Sequence, residues 1–428
     1  MTDRFGDGRD WFFEERFGLF VHWGLYAIPA WHEQIQYRKR IPRKEYEKLI
    51  YEFNPTRFVP DTWLDLAEEA GMKYVCFTTK HIDGFCLWDT AQTDYNVMHS
   101  PYGKDVLGIL ADACHRRNFP LCLYYSVVDM HHPNYPNQNR SYELAGPEIG
   151  DEPDLDRYMI FVKEQVRELC TQYGEIHGFW WDANVMKHRD PSINSLIRSL
   201  QPKAVINGRG FDDGDFCTPE RDWDDSVNKL PAFKRPTEAC QSVGTESWGY
   251  KEDENYYSDI HLIRNIDKIL AKGGNYLLNV GPTADGSIPP EAVRILRTIG
   301  KWYHAVQEAF DQSEPVSHMT ENPDVLLTRK NNIFYVHLFK CPASTKVMLK
   351  PIDVMPRQAK LLNTGAEVEV RVDLLPSLHP ENKKYLYIRN LPVNELVNTV
   401  MVVKLKFDKF PESGFEDQGD SPFMRLQS

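Results

Sequence analysis

Over the first three-quarters of the chain, short runs that are apolar almost without a break alternate with amphipathic helical segments. The runs are FGLFVHWG (17–24), KYVCFTTKH (73–81), PLCLYYSVV (120–128), EIHGFWWDA (175–183), AVING (204–208) and GNYLLNVGP (274–282). Near-continuous apolarity, rather than strict alternation, marks strands buried on both faces, as in a parallel sheet covered by helices. The intervening segments have helical period. DRYMIFVKEQVRELCTQYG puts Val162, Val166, Leu169 and Tyr173 on one face and stops at Gly174. SDIHLIRNIDKILAKGG offers Ser258 as an N-cap, Ile260, Ile263 and Ile266 at helical spacing, and Gly273 past its end. Six strands separated by helices predict an α/β fold, a (β/α)8-type (TIM-like) barrel in which one or two strands are not legible. An open doubly wound sheet would be expected to begin with a GxGxxG turn, and the chain has none.

After EAFDQSEPV the pattern changes to short alternating segments punctuated by Asn, Gly and Pro, which predicts a C-terminal all-β sandwich. The expected organisation is a barrel over 1–312, a sandwich over 317–410 and a polar tail, 411–428, expected to be disordered. A length of 428 residues with 42% hydrophobic and 26% charged residues suits two globular domains. The net charge of −12 argues against nucleic acid or an anionic membrane as partner. No stretch of transmembrane length is apolar, and the N-terminal residues are charged where a signal peptide is apolar, so a cytoplasmic location is expected. The 8 cysteines form no CxxC pair and read as reduced thiols. A homo-oligomer is left open.

In such a barrel, working residues sit at the C-terminal ends of the strands. Here those ends carry His22, His81, Tyr124, Asp182 and Arg209. By alternation Phe20 shares a face with His22, Phe77 and Thr79 with His81, and Gly178 and Trp180 with Asp182. If those faces point inward, His22, His81, Trp180 and Asp182 converge at one mouth. Asp182 ends an apolar aromatic run, where a charge is costly unless paired or solvated. A carboxylate flanked by tryptophans suggests a sugar, and glycosidic chemistry needs a second carboxyl. Glu220, Glu238 and Glu246 are all candidates that spacing does not separate. The loop DMHHP could suggest a metal through Asp129, His131 and His132, but adjacent histidines diverge and the first strand offers a single His. No metal and no cofactor are therefore expected.

Taken together, GLFVHWGLYAIPAW, TTKHIDGFCLWDT, GFWWDA, DFCTPE, SWGY and GGNYLLNVGPTADGSIP resemble the α-L-fucosidases of glycoside hydrolase family 29. The likeness runs from about residue 11 to 310 and continues more weakly through the sandwich. It implies a metal-independent retaining exo-glycosidase acting on fucosylated oligosaccharides or glycoconjugates. By position, Asp182 resembles the family's nucleophile, Trp180 a wall of the sugar site and Glu220 the acid/base. His22, Glu33, His81, Tyr124 and Arg209 fall where the family holds fucose, and Trp248 where an aromatic meets its methyl side. Two positions depart from the pattern: Ile82 stands where a second His is common, and Gln34 where a Trp often stands. The alternatives are a non-catalytic fucose-binding protein on the same scaffold and a retaining glycosidase for another sugar.

Overall fold

A computed structural model describes residues 3–221, 230–374 and 383–409. Seven parallel strands form one curled sheet: β1 (Phe17–Val21), β2 (Tyr74–Lys80), β3 (Leu121–Ser126), β4 (Gly178–Asp182), β5 (Val205–Ile206), β6 (Glu238–Ser242) and β7 (Asn275–Val280). Their order is β5-β4-β3-β2-β1-β7-β6. Helices Pro60–Glu69, Val106–Arg116, Leu155–Thr171, Pro191–Leu200 and Asp259–Ala271 connect successive strands, and Pro290–Val306 follows the last. The two helices legible from sequence start and stop as their residues dictate. Gly174 and Gly273 take positive φ past the helix ends, a conformation that costs glycine little, and the Ser258 hydroxyl caps the Asp259–Ala271 helix.

The two strands missing from the sequence reading close the barrel. One is β6, EACQS, too polar to announce itself as buried. The other is residues 216–221, which join the sheet edges through bridges Asn207–Phe216, Cys217–Thr237 and Glu220–Cys240. Gly208 N donates to Phe216 O at 3.0 Å on one side, and Cys240 N to Pro219 O at 3.0 Å on the other. Pro219 has no N–H to give a ladder, so this stave is bridged piecemeal.

The interior is filled by Phe20, Cys76, Tyr124, Trp180, Phe216 and Leu277 among others, with Phe12 from the N-terminal turn packed against Phe216 at 4.8 Å. One element of the alternation reading is corrected. Tyr74 and Cys76 face inward on β2, whereas Phe77 faces the outer shell, its ring 6.5 Å from that of Trp63. Thr78 pairs with Tyr124 and Lys80 with Tyr125, so β2 has one extra residue at this point. Such a bulge reverses which residues face in. Lys80 therefore points outward to Asp129 at 2.8 Å, and His81 turns into the barrel mouth.

The remaining strands are β8 (Glu314–Pro315), β9 (Leu326–Lys330), β10 (Ile333–Leu338), β11 (Val347–Leu349), β12 (Gln358–Leu361), β13 (Glu369–Leu374), β14 (Lys384–Arg389) and β15 (Met401–Lys406). They form a five-stranded sheet, β12-β15-β10-β9-β8, and a three-stranded sheet, β11-β14-β13. Leu327, Phe334 and Val336 from the first sheet and Leu349, Leu386 and Ile388 from the second share one core, which makes a sandwich. The sandwich docks on the barrel through a fully buried contact: His337 Nδ1 meets Asp267 Oδ1 at 2.7 Å. Nearby, Trp302 Nε1 donates to Val400 O at 3.0 Å. The expectation for 411–428 lies outside the described residues.

Candidate active site

A pocket opens at the C-terminal ends of the barrel strands. All nine residues singled out from the sequence line it: His22, Glu33, His81, Tyr124, Trp180, Asp182, Arg209, Glu220 and Trp248. Asp182 is brought there because it is the last residue of β4, past the interior side chain of Trp180. Its Oδ2 accepts from the Tyr124 hydroxyl at 2.8 Å, and its Oδ1 lies 3.2 Å from Arg209 Nη1. The same Arg209 nitrogen lies 2.9 Å from Glu220 Oε2. Those two carboxylate oxygens, 3.2 and 2.9 Å from one nitrogen, can therefore be no more than about 6 Å apart.

Arg209 is held for this task. Its Nε donates to Thr218 Oγ1 at 2.6 Å, its Nη2 to Thr218 O at 2.9 Å, and its guanidinium lies 4.7 Å over the Trp180 ring. Burial opposes its charge, but the carboxylates of Asp182 and Glu220 outweigh burial and hold its pKa above the usual arginine value. Thr218 and Glu220 both belong to the irregular closing stave, so barrel closure itself brings Glu220 towards Asp182.

On the opposite side, burial pushes the His22 pKa down to about 3, with neighbouring His81 adding to the effect. Burial likewise lowers that of His81. His22 therefore presents a neutral imidazole. The His22 tautomer follows from its partner: Asn279 Nδ2 donates to the Trp248 carbonyl at 2.7 Å and to Ser242 Oγ at 3.1 Å, which fixes its Oδ1 toward His22 Nδ1 at 2.7 Å. Nδ1 therefore carries the proton and Nε2 is the acceptor. Glu33 Oε2 accepts from Ser247 Oγ at 2.8 Å and Trp248 N at 2.9 Å. Burial favours its protonation, but His32, His81 and these hydrogen bonds prevail and hold its pKa below the usual value. Glu33 Oε1 and His81 Nδ1 are buried without a protein hydrogen bond among the described residues.

The rival carboxyls go elsewhere. Glu238 is fully buried in the barrel beneath Trp180, accepting from Trp180 Nε1 at 2.9 Å and from the Tyr74 hydroxyl. Glu246 lies 3.1 Å from Lys251 and does not line the pocket. The DMHHP loop is engaged structurally: Asp129 accepts from Lys80 and from the amides of His131 and His132. Among the described residues no group of three or more His, Cys, Asp or Glu side chains is placed to hold a metal. Sequence reasoning missed Asn279 and Tyr142. Asn279 was detectable as a polar residue on the inward face of GNYLLNVGP, two positions beyond Leu277 and at the C-terminal end of the strand. Tyr142 lines the pocket from a loop that carries no periodic signal.

Two carboxyls astride one arginine, at the mouth of a parallel barrel and under aromatic walls, define a glycoside hydrolase. The α-L-fucosidase family model matches residues 6–308, and the chain belongs to that family. It is 28% identical to the tissue α-L-fucosidase of Bos taurus over 413 residues, covering 89% of this chain and 85% of that protein. Its structure is similar to that of α-L-fucosidase isoenzyme 1 from Paenibacillus thiaminolyticus, with a TM-score of 0.83 and 32% identity over 94% of this chain and 99% of the other. It is also similar, at 28% identity and a TM-score of 0.79 over 95% and 97% of the two chains, to a family 29 α-L-fucosidase from Bacteroides thetaiotaomicron. That enzyme was captured as a covalent intermediate with 2-fluoro-fucosyl fluoride in a Glu-to-Gln mutant.

Proposed function

We propose that this chain removes terminal α-L-fucose from fucosylated oligosaccharides by double displacement, with Asp182 as nucleophile and Glu220 as acid/base. The single observation that carries the assignment is the shared Arg209 nitrogen. One nitrogen within 3.2 Å of Asp182 and 2.9 Å of Glu220 holds the two carboxylates facing each other at close range, an arrangement that suits the roughly 5–5.5 Å separation of a retaining pair better than the roughly 6.5–9.5 Å of an inverting one. Asp182 sits on the barrel side, held as a carboxylate acceptor by Tyr124 and Arg209. Glu220 sits on the exposed side, where a leaving group departs and water arrives.

In the first step Glu220 gives its proton to the glycosidic oxygen while Asp182 forms a bond to the anomeric carbon. In the second, Glu220 takes a proton from water, which displaces Asp182 and returns fucose with its original configuration. The unbonded Glu33 Oε1 and His81 Nδ1, with His22 from the pocket wall, supply the polar contacts that a ring bearing several hydroxyls requires. Phe20, Ile82 and Trp248 supply apolar wall, which suits a sugar whose C6 is a methyl group. A non-catalytic binder would need the polar contacts but not the paired carboxyls, and a galactoside enzyme would need a partner for the 6-hydroxyl.

Azide tests both roles. Glu220→Ala with a good leaving group should accumulate fucosyl-enzyme, and azide entering the vacated space should yield α-L-fucosyl azide. In Asp182→Gly, azide should attack the anomeric carbon directly and displace the leaving group once, yielding β-L-fucosyl azide. Rescue of Glu238→Ala or Glu246→Ala instead would move the acid/base role there.

A further inference from the structure

The net charge of −12 conceals a local reversal beside the pocket. Residues 38–40 are Arg-Lys-Arg, all three exposed, and among the described residues none of them is paired with a carboxylate. Two separate contacts tie this segment to the pocket wall. Arg38 Nε donates to Gln34 Oε1 at 3.0 Å, and Gln34 lines the pocket. Arg40 lies 5.1 Å over the Tyr37 ring, which in turn lies 5.9 Å from that of Tyr142, another pocket residue. Lys39 lies 4.2 Å over the ring of Trp31, itself 37% exposed. The segment is anchored from below: Arg43 is buried and bonded to Asp151 at 2.6 Å and to Met130 O at 2.8 Å.

The fucosyl unit occupies the pocket, so the rest of the substrate must lie across its rim. Aromatic faces there suit a sugar ring, and guanidinium and ammonium groups without carboxylate partners suit an anion. The field of a protein this acidic would otherwise repel an anionic substrate. Arg38 also acts on the same group as the catalytic pair. Burial raises the Tyr142 pKa and Asp182 and Glu220 add to it, while Arg38 and Arg209 oppose them. We infer that the ledge formed by Tyr37, Arg38, Lys39, Arg40 and Tyr142 is a leaving-group subsite for acidic glycans, in which the sugar bearing fucose carries a carboxylate or a sulfate ester. This inference rests on the fucosidase reading and names the substrate class of the same site.

The experiment compares kcat/KM for matched pairs of substrates. One pair is α-L-fucosyl N-acetylglucosamine and its sulfate ester; the other is α-L-fucosyl galactose and α-L-fucosyl galacturonic acid. At low ionic strength the acidic member of at least one pair should be favoured by about tenfold, the sum of three modest exposed charge interactions. The advantage should shrink toward parity at about 0.5 M salt, where the screening length falls to a few ångströms. A preference confined to the sulfate or to the carboxylate identifies which anion the ledge takes. In the triple variant Arg38→Gln, Lys39→Gln, Arg40→Gln, the acidic-to-neutral ratio should fall to near one. The charge-conserving variant Arg38→Lys, Lys39→Arg, Arg40→Lys should retain it. Parity in the native enzyme at low salt, or a preference that survives in the triple Gln variant, overturns the inference. Failure to hydrolyse the neutral fucosides as well would instead overturn the fucosidase reading.

Discussion

Glu238 is a carboxyl enclosed by the barrel, with no charged partner, and this makes the stability of the protein depend on pH in a calculable way. Burial raises its pKa from the ordinary 4.5 to about 7, against the opposing hydrogen bonds from Tyr74 and Trp180. The folded state thus holds a proton that the unfolded chain releases near pH 4.5. The stabilisation this gives is fully present below that pH and is lost as pH rises through about 7. Each unit is worth about 1.4 kcal/mol, so the whole swing is about 3 kcal/mol. Glu238→Gln removes the titration and keeps an oxygen for Trp180 Nε1 and an amide that can donate to the Tyr74 oxygen. Urea unfolding, followed by tryptophan fluorescence at a series of pH values, should therefore show the variant gaining about 3 kcal/mol on the wild type between about pH 5 and about pH 8.5. Because Trp180 lines the sugar pocket from the other side, KM should be followed in parallel. A stability difference that stays flat across that pH range would refute the reasoning.

Three further outcomes follow from individual contacts. Tyr124→Phe removes the hydroxyl that donates to Asp182 Oδ2; kcat/KM for a nitrophenyl fucoside should fall by about 10- to 100-fold, the worth of a hydrogen bond to a charged group, and an unchanged value would show that Arg209 alone suffices. Asp267→Ala leaves His337 Nδ1 without its partner in the domain interface, with Nε2 still 3.0 Å from the Thr328 hydroxyl; the cost should be about 1–3 kcal/mol in denaturant unfolding, with kcat unchanged in the folded enzyme, because the pair lies away from the pocket. Prolonged EDTA treatment should leave the rate unchanged, since the Asp129 carboxylate is already taken by Lys80 and two backbone amides; a loss restored by zinc or calcium would redirect attention to that loop.

The features readable in the amino-acid order are those set by local burial. Runs such as PLCLYYSVV are apolar on both sides because helices cover one face of the sheet and the barrel interior fills the other. Asp182 stood out because it breaks such a run, and Ser258 and Gly273 because helix ends have local requirements. The closing stave left no such trace. Its residues 216–221 mix Phe216, Cys217 and Pro219 with Thr218, Glu220 and Arg221 in no regular alternation, and they bridge into the sheet only because two distant edges need joining. Strand β6 hid for a related reason: Glu238 is buried at an otherwise polar-looking site because Tyr74 and Trp180, more than 50 positions away in the chain, supply its hydrogen bonds. His81 reached the pocket by a route that alternation did not foresee, the extra residue in β2 having inverted the facing of everything after it. The choice among Glu220, Glu238 and Glu246, the partnership of His22 with Asn279 and the cationic ledge at 38–40 all depend on which side chains meet through space. Periodicity records whether a residue is covered; only the folded chain determines by what.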